Sequence, residues 1–413
     1  MKNLTRRAEA VVQTALADTR VVVVNGARQV GKTTLVKAIT KDRANVVVRS
    51  FDRSADLQAA RHDPEAFVLH DGLMVIDEIQ RAPEVVLPIK ASVDESNRPG
   101  QFLLTGSARL LGLRALPDAL VGRAETIELW PFSQGEIDGC ADGFVDAVFG
   151  DHDRFGRVGQ SVRDELLERA TRGGFPEATK RANGRRQRFF ASYVNDLIDR
   201  DVTQLGDIQR RGDLDRLLRL LAGRMATGLK VDNLASQSGI PTTTLERYLT
   251  LFEEVFLIKR VGPWSNSATS RAVRMRKLIF VDSGLAASLS GRSVTKLARE
   301  PALAGPLLEN FVLGELARQL TWSTVQASLR HYRTRDGEEV DAILECADGR
   351  IVGVEVKASS TVKAEDFRHL EHLLSRAPDQ FHRGVVLYTG ERMVPFGRRL
   401  VALPIDALWR APG

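Results

Sequence analysis

The sequence predicts an α/β chain whose N-terminal part is built on a parallel sheet, and three observations carry that reading. RVVVVNGARQVGKTTLVKAI (20–39) runs from four valines through a glycine-bounded loop into an apolar-periodic helix. LMVIDEIQ (73–80) and QFLLTGSA (101–108) are short apolar runs that end in polar residues, as buried parallel strands do where they reach a ligand-bearing edge. Between 329 and 359 apolar and polar residues alternate around a turn, which predicts a further pair of strands.

The first stretch places Gly26, Ala27, Arg28, Gln29, Val30, Gly31, Lys32 and Thr33 at the spacing G-x-x-x-x-G-K-T, with Thr34 following. Between a strand and a helix, that spacing makes a phosphate site, a P-loop. The glycines let backbone N–H groups turn inward around phosphates, and the new helix adds its positive N-terminal end. Lys32 is expected to reach the β- and γ-phosphates of ATP, and the Thr33 hydroxyl to ligate Mg²⁺. Arg28 is a further cation beside the phosphates.

Asp77 and Glu78 stand at the carboxyl end of the second apolar run. Asp77 is expected in the Mg²⁺ shell, and Glu78 is expected to orient or activate the attacking water. Thr105 and Ser107 end the third run, either as sensors of the γ-phosphate or, for Ser107, as the cap of a following helix. Arg123 precedes the strand-like AETIELWPF. It reads either as a transition-state arginine, acting in its own subunit or on a neighbour, or as a surface ion pair.

GARQVGKTTL, LMVIDEIQRAP, FLLTGSA, Gly122-Arg123 and GGFPEA (173–178) together resemble the prokaryotic AAA+-like P-loop ATPases that carry an uncharacterised C-terminal region. The resemblance covers nearly the whole chain and implies ATP binding and hydrolysis.

From residue 213 the pattern changes. LDRLLRLLAGRMA has leucines at helical spacing, and VDNLASQSGIPTTTLERYLTLFEEV reads as helix, Gly-Ile-Pro turn and helix. Two strand-like runs, FLIKRV and VRMRKLIFVD, follow. Three helices and a two-stranded wing make a winged helix-turn-helix. Thr242, Thr243, Thr244 and Arg247 are expected to face a DNA groove, and Arg271, Arg274, Arg276 and Lys277 to sit on or beside the wing near phosphates. Residues 205–280 hold 13 Lys/Arg against 7 Asp/Glu, which accounts for the whole formal charge of +6. Such a field suits an acidic partner such as DNA, and equally a solvated face or an oligomer contact.

GPLLENFVLGELARQL (305–320) reads as a helix carrying Glu309, and LRHYRTRDGEEVDAILECADGRIVGVEVKAS (329–359) as strands with a tight turn at 347–349. Alternation puts Glu355 and Lys357 on one face. A three-residue loop pairs Cys346 with Arg350 and brings Asp341 opposite Glu355. Two carboxylates and a lysine there suit Mg²⁺-assisted phosphodiester hydrolysis, with Asp341 and Glu355 as ligands, Glu309 completing the shell and Lys357 stabilising charge. Asp341 and Glu355-Val356-Lys357 resemble the PD-(D/E)xK restriction-endonuclease-like family, with Val340 where that family often has proline. The resemblance implies either a metal-dependent nuclease or a silent fold. Arg333 and Lys363 are expected as phosphate or scaffold contacts.

The expected organisation is therefore an α/β P-loop NTPase core (1–170), a helical linker (171–206), a winged helix-turn-helix (207–290) and an α/β restriction-endonuclease-like domain (291–413). ATP and Mg²⁺ are the expected cofactors, with DNA and a second copy of the chain as partners. No apolar run approaches the roughly 20 residues that span a bilayer, so no membrane partner is expected. Two cysteines far apart make neither a disulfide framework nor a metal spacing, which fits a reducing cytoplasm.

Overall fold

The computed structural model describes residues 4–107, 120–150, 155, 158–199, 211–265, 275–334 and 336–412. The chain divides into two compact units, residues 1–131 with 254–256 and residues 132–253 with 257–413.

The first unit contains α1 (Ala8–Asp18), β1 (Val21–Asn25), α2 (Lys32–Thr40), β2 (Val46–Ser50), β3 (Leu73–Asp77), α3 (Val86–Glu95), β4 (Phe102–Gly106) and β5 (Ala124–Glu128). The five strands are parallel in the order β2-β3-β4-β1-β5. Every residue of β1, β3 and β4 is buried, as unbroken apolar strands require, whereas the edge strands β2 and β5 carry exposed polar residues. Because the strands are parallel, Asn25, Asp77 and Gly106 all finish at one edge of the sheet.

The second unit begins with two short helices, Gln134–Asp138 and Phe144–Phe149. There follow α4 (Arg163–Arg172), α5 (Asn183–Leu197), α6 (Arg211–Gly223), α7 (Val231–Ser238), α8 (Thr242–Glu254), β6 (Ile258–Val261), β7 (Lys277–Phe280), α9 (Ser283–Leu289), α10 (Val294–Arg299) and α11 (Ala304–Gln319). β6 and β7 pair antiparallel. Gly239 closes α7 at φ 67°, its N–H bonded to the Ala235 carbonyl at 2.9 Å, and α8 starts after Pro241.

The C-terminal sheet holds β8 (Ala327–Arg333), β9 (Glu339–Cys346), β10 (Ile351–Lys357), β11 (Phe381–Tyr388), β12 (Val394–Pro395) and β13 (Leu400–Pro404), in the order β12-β13-β11-β10-β9-β8. α12 (Arg368–Arg376) packs Leu370 and Leu373 into a core with Val340, Ile343, Ile351, Phe381 and Val386. β9 and β10 pair from Ile351↔Glu345 to Val354↔Ala342, and the Cys346 N–H bonds to the Arg350 carbonyl at 2.9 Å. This is the register of a three-residue loop, and one step further along it Asp341 meets Glu355.

The compact division falls at residue 131 rather than at the expected 170. Phe144, Val145, Val148 and Phe149 are buried, and the N–H groups of Gln134 and Val145 donate to the Glu315 and Gln319 side chains of α11, at 3.0 and 3.2 Å. α9 packs against α4, α5, α6 and α11, so the segments expected as linker, winged helix and C-terminal domain form one unit.

His331 on β8 is 2% exposed, and its Nε2 lies 2.9 Å from the Met275 carbonyl. Burial first, then the nearby Lys277 ammonium, lowers its pKa from 6.5 to about 4. Between those values the unfolded chain binds a proton that the folded chain does not, so stability falls as pH drops. In urea denaturation, the stability gap between wild type and His331→Gln should shrink by about 2 kcal/mol from pH 7.5 to pH 5, at roughly 1.4 kcal/mol per pH unit below 6.5. A gap independent of pH would contradict the buried neutral imidazole.

Candidate functional site

The P-loop closes tightly on the strand edge. A Cβ on Gly26 would sit 2.2 Å from the Leu129 carbonyl oxygen, so no larger residue fits there. Gln29 and Gly31 take left-handed φ values of 63° and 101°. Ala27 and Val30 are buried, whereas Arg28 is half-buried and Gln29 exposed. Lys32 is 5% exposed, and its Nζ donates to the carbonyls of Gly26 and Ala27 at 3.0 and 3.1 Å, so the ammonium lies within the loop. Thr34 follows on the exposed side of α2.

Asp77 joins three elements. Its Oδ2 accepts from Thr33 Oγ1 at 3.0 Å, and its Oδ1 accepts a short hydrogen bond from Thr105 Oγ1. The end of β3 is thereby bonded to the start of α2 and to β4. Glu78, one residue on, takes φ 60°, a conformation that a bulky side chain rarely adopts. Its Oε2 accepts from Ser107 Oγ at 3.2 Å and from Gln80 Nε2, while Gln80 also donates to Ser107 Oγ at 2.9 Å. Ser107 therefore touches Glu78 directly.

Arg6 went unseen in the sequence. Its guanidinium is buried and donates to the Val30 carbonyl at 2.9 Å and the Trp130 carbonyl at 2.5 Å, which ties the P-loop to the segment after β5. Nothing in TRRAEA marks it out, because its partners are backbone carbonyls distant in sequence.

Arg123 needs correcting as a residue of its own chain's nucleotide site. It precedes β5, and its carbonyl accepts from Val21 N–H at the start of β1, so it lies at the opposite edge of the sheet from Lys32. A five-residue strand separates those edges by about 16 Å. There its Nε and Nη2 clasp Asp94 at 2.5 and 2.9 Å, the surface ion pair that was the other reading.

Among the residues expected to meet DNA, Thr243 and Arg247 are exposed on α8, and Arg276 is exposed beside β7. Arg271 and Arg274 lie outside the described residues. Lys277 is a correction: it has no exposed surface. Alternation along β7 turns it inward, away from where Arg276 points. Its Nζ lies 2.6 Å from Glu309 Oε1, 3.1 Å from Glu339 Oε1, 3.3 Å from the Asp341 carbonyl and 3.5 Å from Asp341 Oδ1.

This ammonium changes the expected metal centre. Glu309 and Asp341, expected as Mg²⁺ ligands, both pair with Lys277. Asp341 Oδ2 additionally accepts from Val356 N–H at 2.9 Å. Glu355 is 3% exposed and reaches Lys357 Nζ at 3.3 Å. Among the described residues, no group of three or more His, Cys, Asp or Glu is arranged to hold an ion. Arg333 pairs with Glu339 at 3.1 Å, and Lys363 is exposed beside Glu365.

The electrostatics follow from the crowding. Burial lowers the Lys277 pKa, but Glu309, Asp341 and Glu339 outweigh it and raise the pKa far above 10.5. Burial, reinforced by Asp341, raises Glu309 to about 8 and lifts Glu355 well above the carboxylate range. Lys357 is raised because Glu355 and Asp341 outweigh its burial. Lys277 is thus a fully buried cation held among the partly buried Glu309, Glu339 and Asp341. Removing one partner of a buried pair costs about 3–5 kcal/mol.

Three comparisons bear on these geometries. Residues 18–138 match the AAA domain family, residues 163–296 a domain of unknown function (DUF8612) and residues 304–408 another domain of unknown function (DUF4143). Over 412 residues the chain is 30% identical to uncharacterized protein Rv2008c of Mycobacterium tuberculosis and to uncharacterized protein Mb2031c of Mycobacterium bovis, covering 98% of this chain and 84% of each relative. Among solved structures, the Walker-type ATPase PABY2304 of Pyrococcus abyssi aligns with a TM-score of 0.41 and 15% identity over 70% of this chain and 96% of that one. The Thermotoga maritima RuvB Holliday junction branch migration motor aligns with a TM-score of 0.30 and 18% identity over 62% and 88%. The chain belongs to the family of these two mycobacterial proteins, and its N-terminal part is an AAA-type P-loop ATPase.

Proposed function

We propose that this chain is an ATP-driven switch whose C-terminal part binds DNA through a winged helix and carries a restriction-endonuclease-like fold that does not cut. The observation that carries the ATPase chemistry is the convergence of Lys32, Thr33, Asp77, Glu78, Thr105 and Ser107 at one sheet edge. Lys32 leaves its carbonyl partners for the β- and γ-phosphates. The Thr33 hydroxyl and Asp77 carboxylate, 3.0 Å apart, are a hard-oxygen set that suits Mg²⁺. That ion would neutralise phosphate charge. Glu78, aimed by Ser107 and Gln80, takes the proton of the attacking water, and Thr105 holds Asp77 in place.

The winged-helix reading is supported by the order α6, α7, α8, β6, β7 and by the exposed Thr243, Arg247 and Arg276. The endonuclease-like reading is supported by the β9–β10 register that sets Asp341 against Glu355-Val356-Lys357. Lys277 favours the silent form over Mg²⁺-dependent cleavage, because a cation that the chain itself supplies already satisfies Glu309 and Asp341. A fold of this kind carries no activity by itself.

Lys32→Ala should abolish steady-state ATP hydrolysis. Glu78→Gln should retain ATP binding while kcat falls about 10²–10⁴-fold. Unaltered turnover in both variants would sink the mechanism. For DNA, fluorescence anisotropy against a labelled duplex should show Arg247→Ala/Arg276→Ala weakening binding and flattening its salt dependence by roughly two counterions. An unchanged salt slope would remove the winged helix from DNA contact.

A further inference from the structure

A pocket of about 140 Å³, open to solvent, lies in the second unit, and it shares no lining residue with the Lys277 cluster. One wall comes from the end of α4 and the start of α5, including Asn183 and Arg186. The other comes from α9 and the turn into α10, including Ser288, Arg292, Ser293 and Thr295. Two arginines line it and no acidic residue does.

The two arginines differ. Arg186 is committed: it bonds Glu168 at 3.0 Å, Asn183 Oδ1 at 2.9 Å and the Arg181 carbonyl at 3.0 Å. Arg292 is 8% exposed, and its Nη1 is buried with no hydrogen-bond partner. Burial lowers its pKa, and no carboxylate acts against that effect. A buried guanidinium stays charged, so this cation is desolvated without compensation. An anion in the pocket would supply it.

The walls are built rather than incidental. Gly284 lets α9 approach the end of α4 so closely that a Cβ there would lie 2.5 Å from the Arg172 carbonyl oxygen. Asp282 fixes the join, accepting from Gly174 N–H at 2.7 Å and from Leu285 N–H at 2.8 Å. The Gly-Gly of GGFPEA, which the nucleotide site does not use, therefore holds the two walls together.

We propose that Arg292, with the hydroxyls of Ser288, Ser293 and Thr295, binds the phosphate group of a small phosphorylated ligand. A planar guanidinium fork satisfies two oxygens of an oxyanion. A carboxylate needs no more than that fork. Ser288, Ser293 and Thr295 line the same pocket, and their hydroxyls can donate to the additional oxygens of a tetrahedral phosphate, Ser293 while its Oγ also accepts from the Lys296 N–H at 3.2 Å.

The test is calorimetric titration of the full chain with inorganic phosphate, with saturating Mg²⁺ and ADP present so that the P-loop is filled. Phosphate should bind at least tenfold more tightly than acetate. Arg292→Met should weaken it at least tenfold, Arg292→Lys less, and Thr295→Val, at an exposed position, severalfold with ATP hydrolysis unchanged. Phosphate affinity unchanged in Arg292→Met and Thr295→Val, no binding by wild type at millimolar phosphate, or acetate binding as tightly as phosphate would each overturn the assignment.

Discussion

A single ammonium organises the C-terminal half of this protein. Lys277 has no exposed surface, yet it touches carboxylates from α11 and β9 while sitting on the short strand that ends the three-helix segment. Burying one charge is costly, and burying several like charges together is worse. Glu309, Glu339, Asp341 and Glu355 are tolerable in one place because Lys277 and Lys357 stand among them and because Glu309 and Glu355, with raised pKa values, give up charge by holding protons. The same contacts bind β7 to the C-terminal sheet, so neutralising the cluster and joining these elements are one interaction.

That interaction separates shape from activity. The β9–β10 pair brings Asp341, Glu355 and Lys357 together, and Glu309 arrives from a helix beside them. What differs is the cation. An ammonium donates hydrogen bonds at fixed short range, and unlike a divalent ion it carries no water to activate. The P-loop shows the opposite arrangement. There Lys32 rests on backbone carbonyls, which it can leave, and Thr33, Asp77 and Thr105 hold one another by hydrogen bonds.

Much of this was legible in the sequence where the determinants are local. Strand, glycine loop and helix around Lys32 are consecutive, and parallel strands bring Asp77 and Thr105 to the same edge. The turn at Ala347-Asp348-Gly349 set the β9–β10 register, since a loop of that length leaves one pairing that keeps the apolar residues inside. Determinants that depend on distant partners were not legible. Lys277 looked like a wing residue because it follows Arg271, Arg274 and Arg276 in one basic run, and its partners lie 32 to 64 residues on. Residues 132–170 were expected in the P-loop core, although Gln134 and Val145 are anchored on Glu315 and Gln319. Arg123 was misplaced for a different reason: a residue that precedes a parallel strand starts at the edge away from the phosphates.

The central claim is that Lys277, and not a divalent ion, neutralises the carboxylates of the C-terminal sheet. Counting bound Mn²⁺ per chain by electron paramagnetic resonance, with ADP present, tests it directly. The count should be the same in wild type, Asp341→Asn and Glu309→Gln, because none of those carboxylates holds an ion. A wild-type count one ion higher than in either variant would contradict the account.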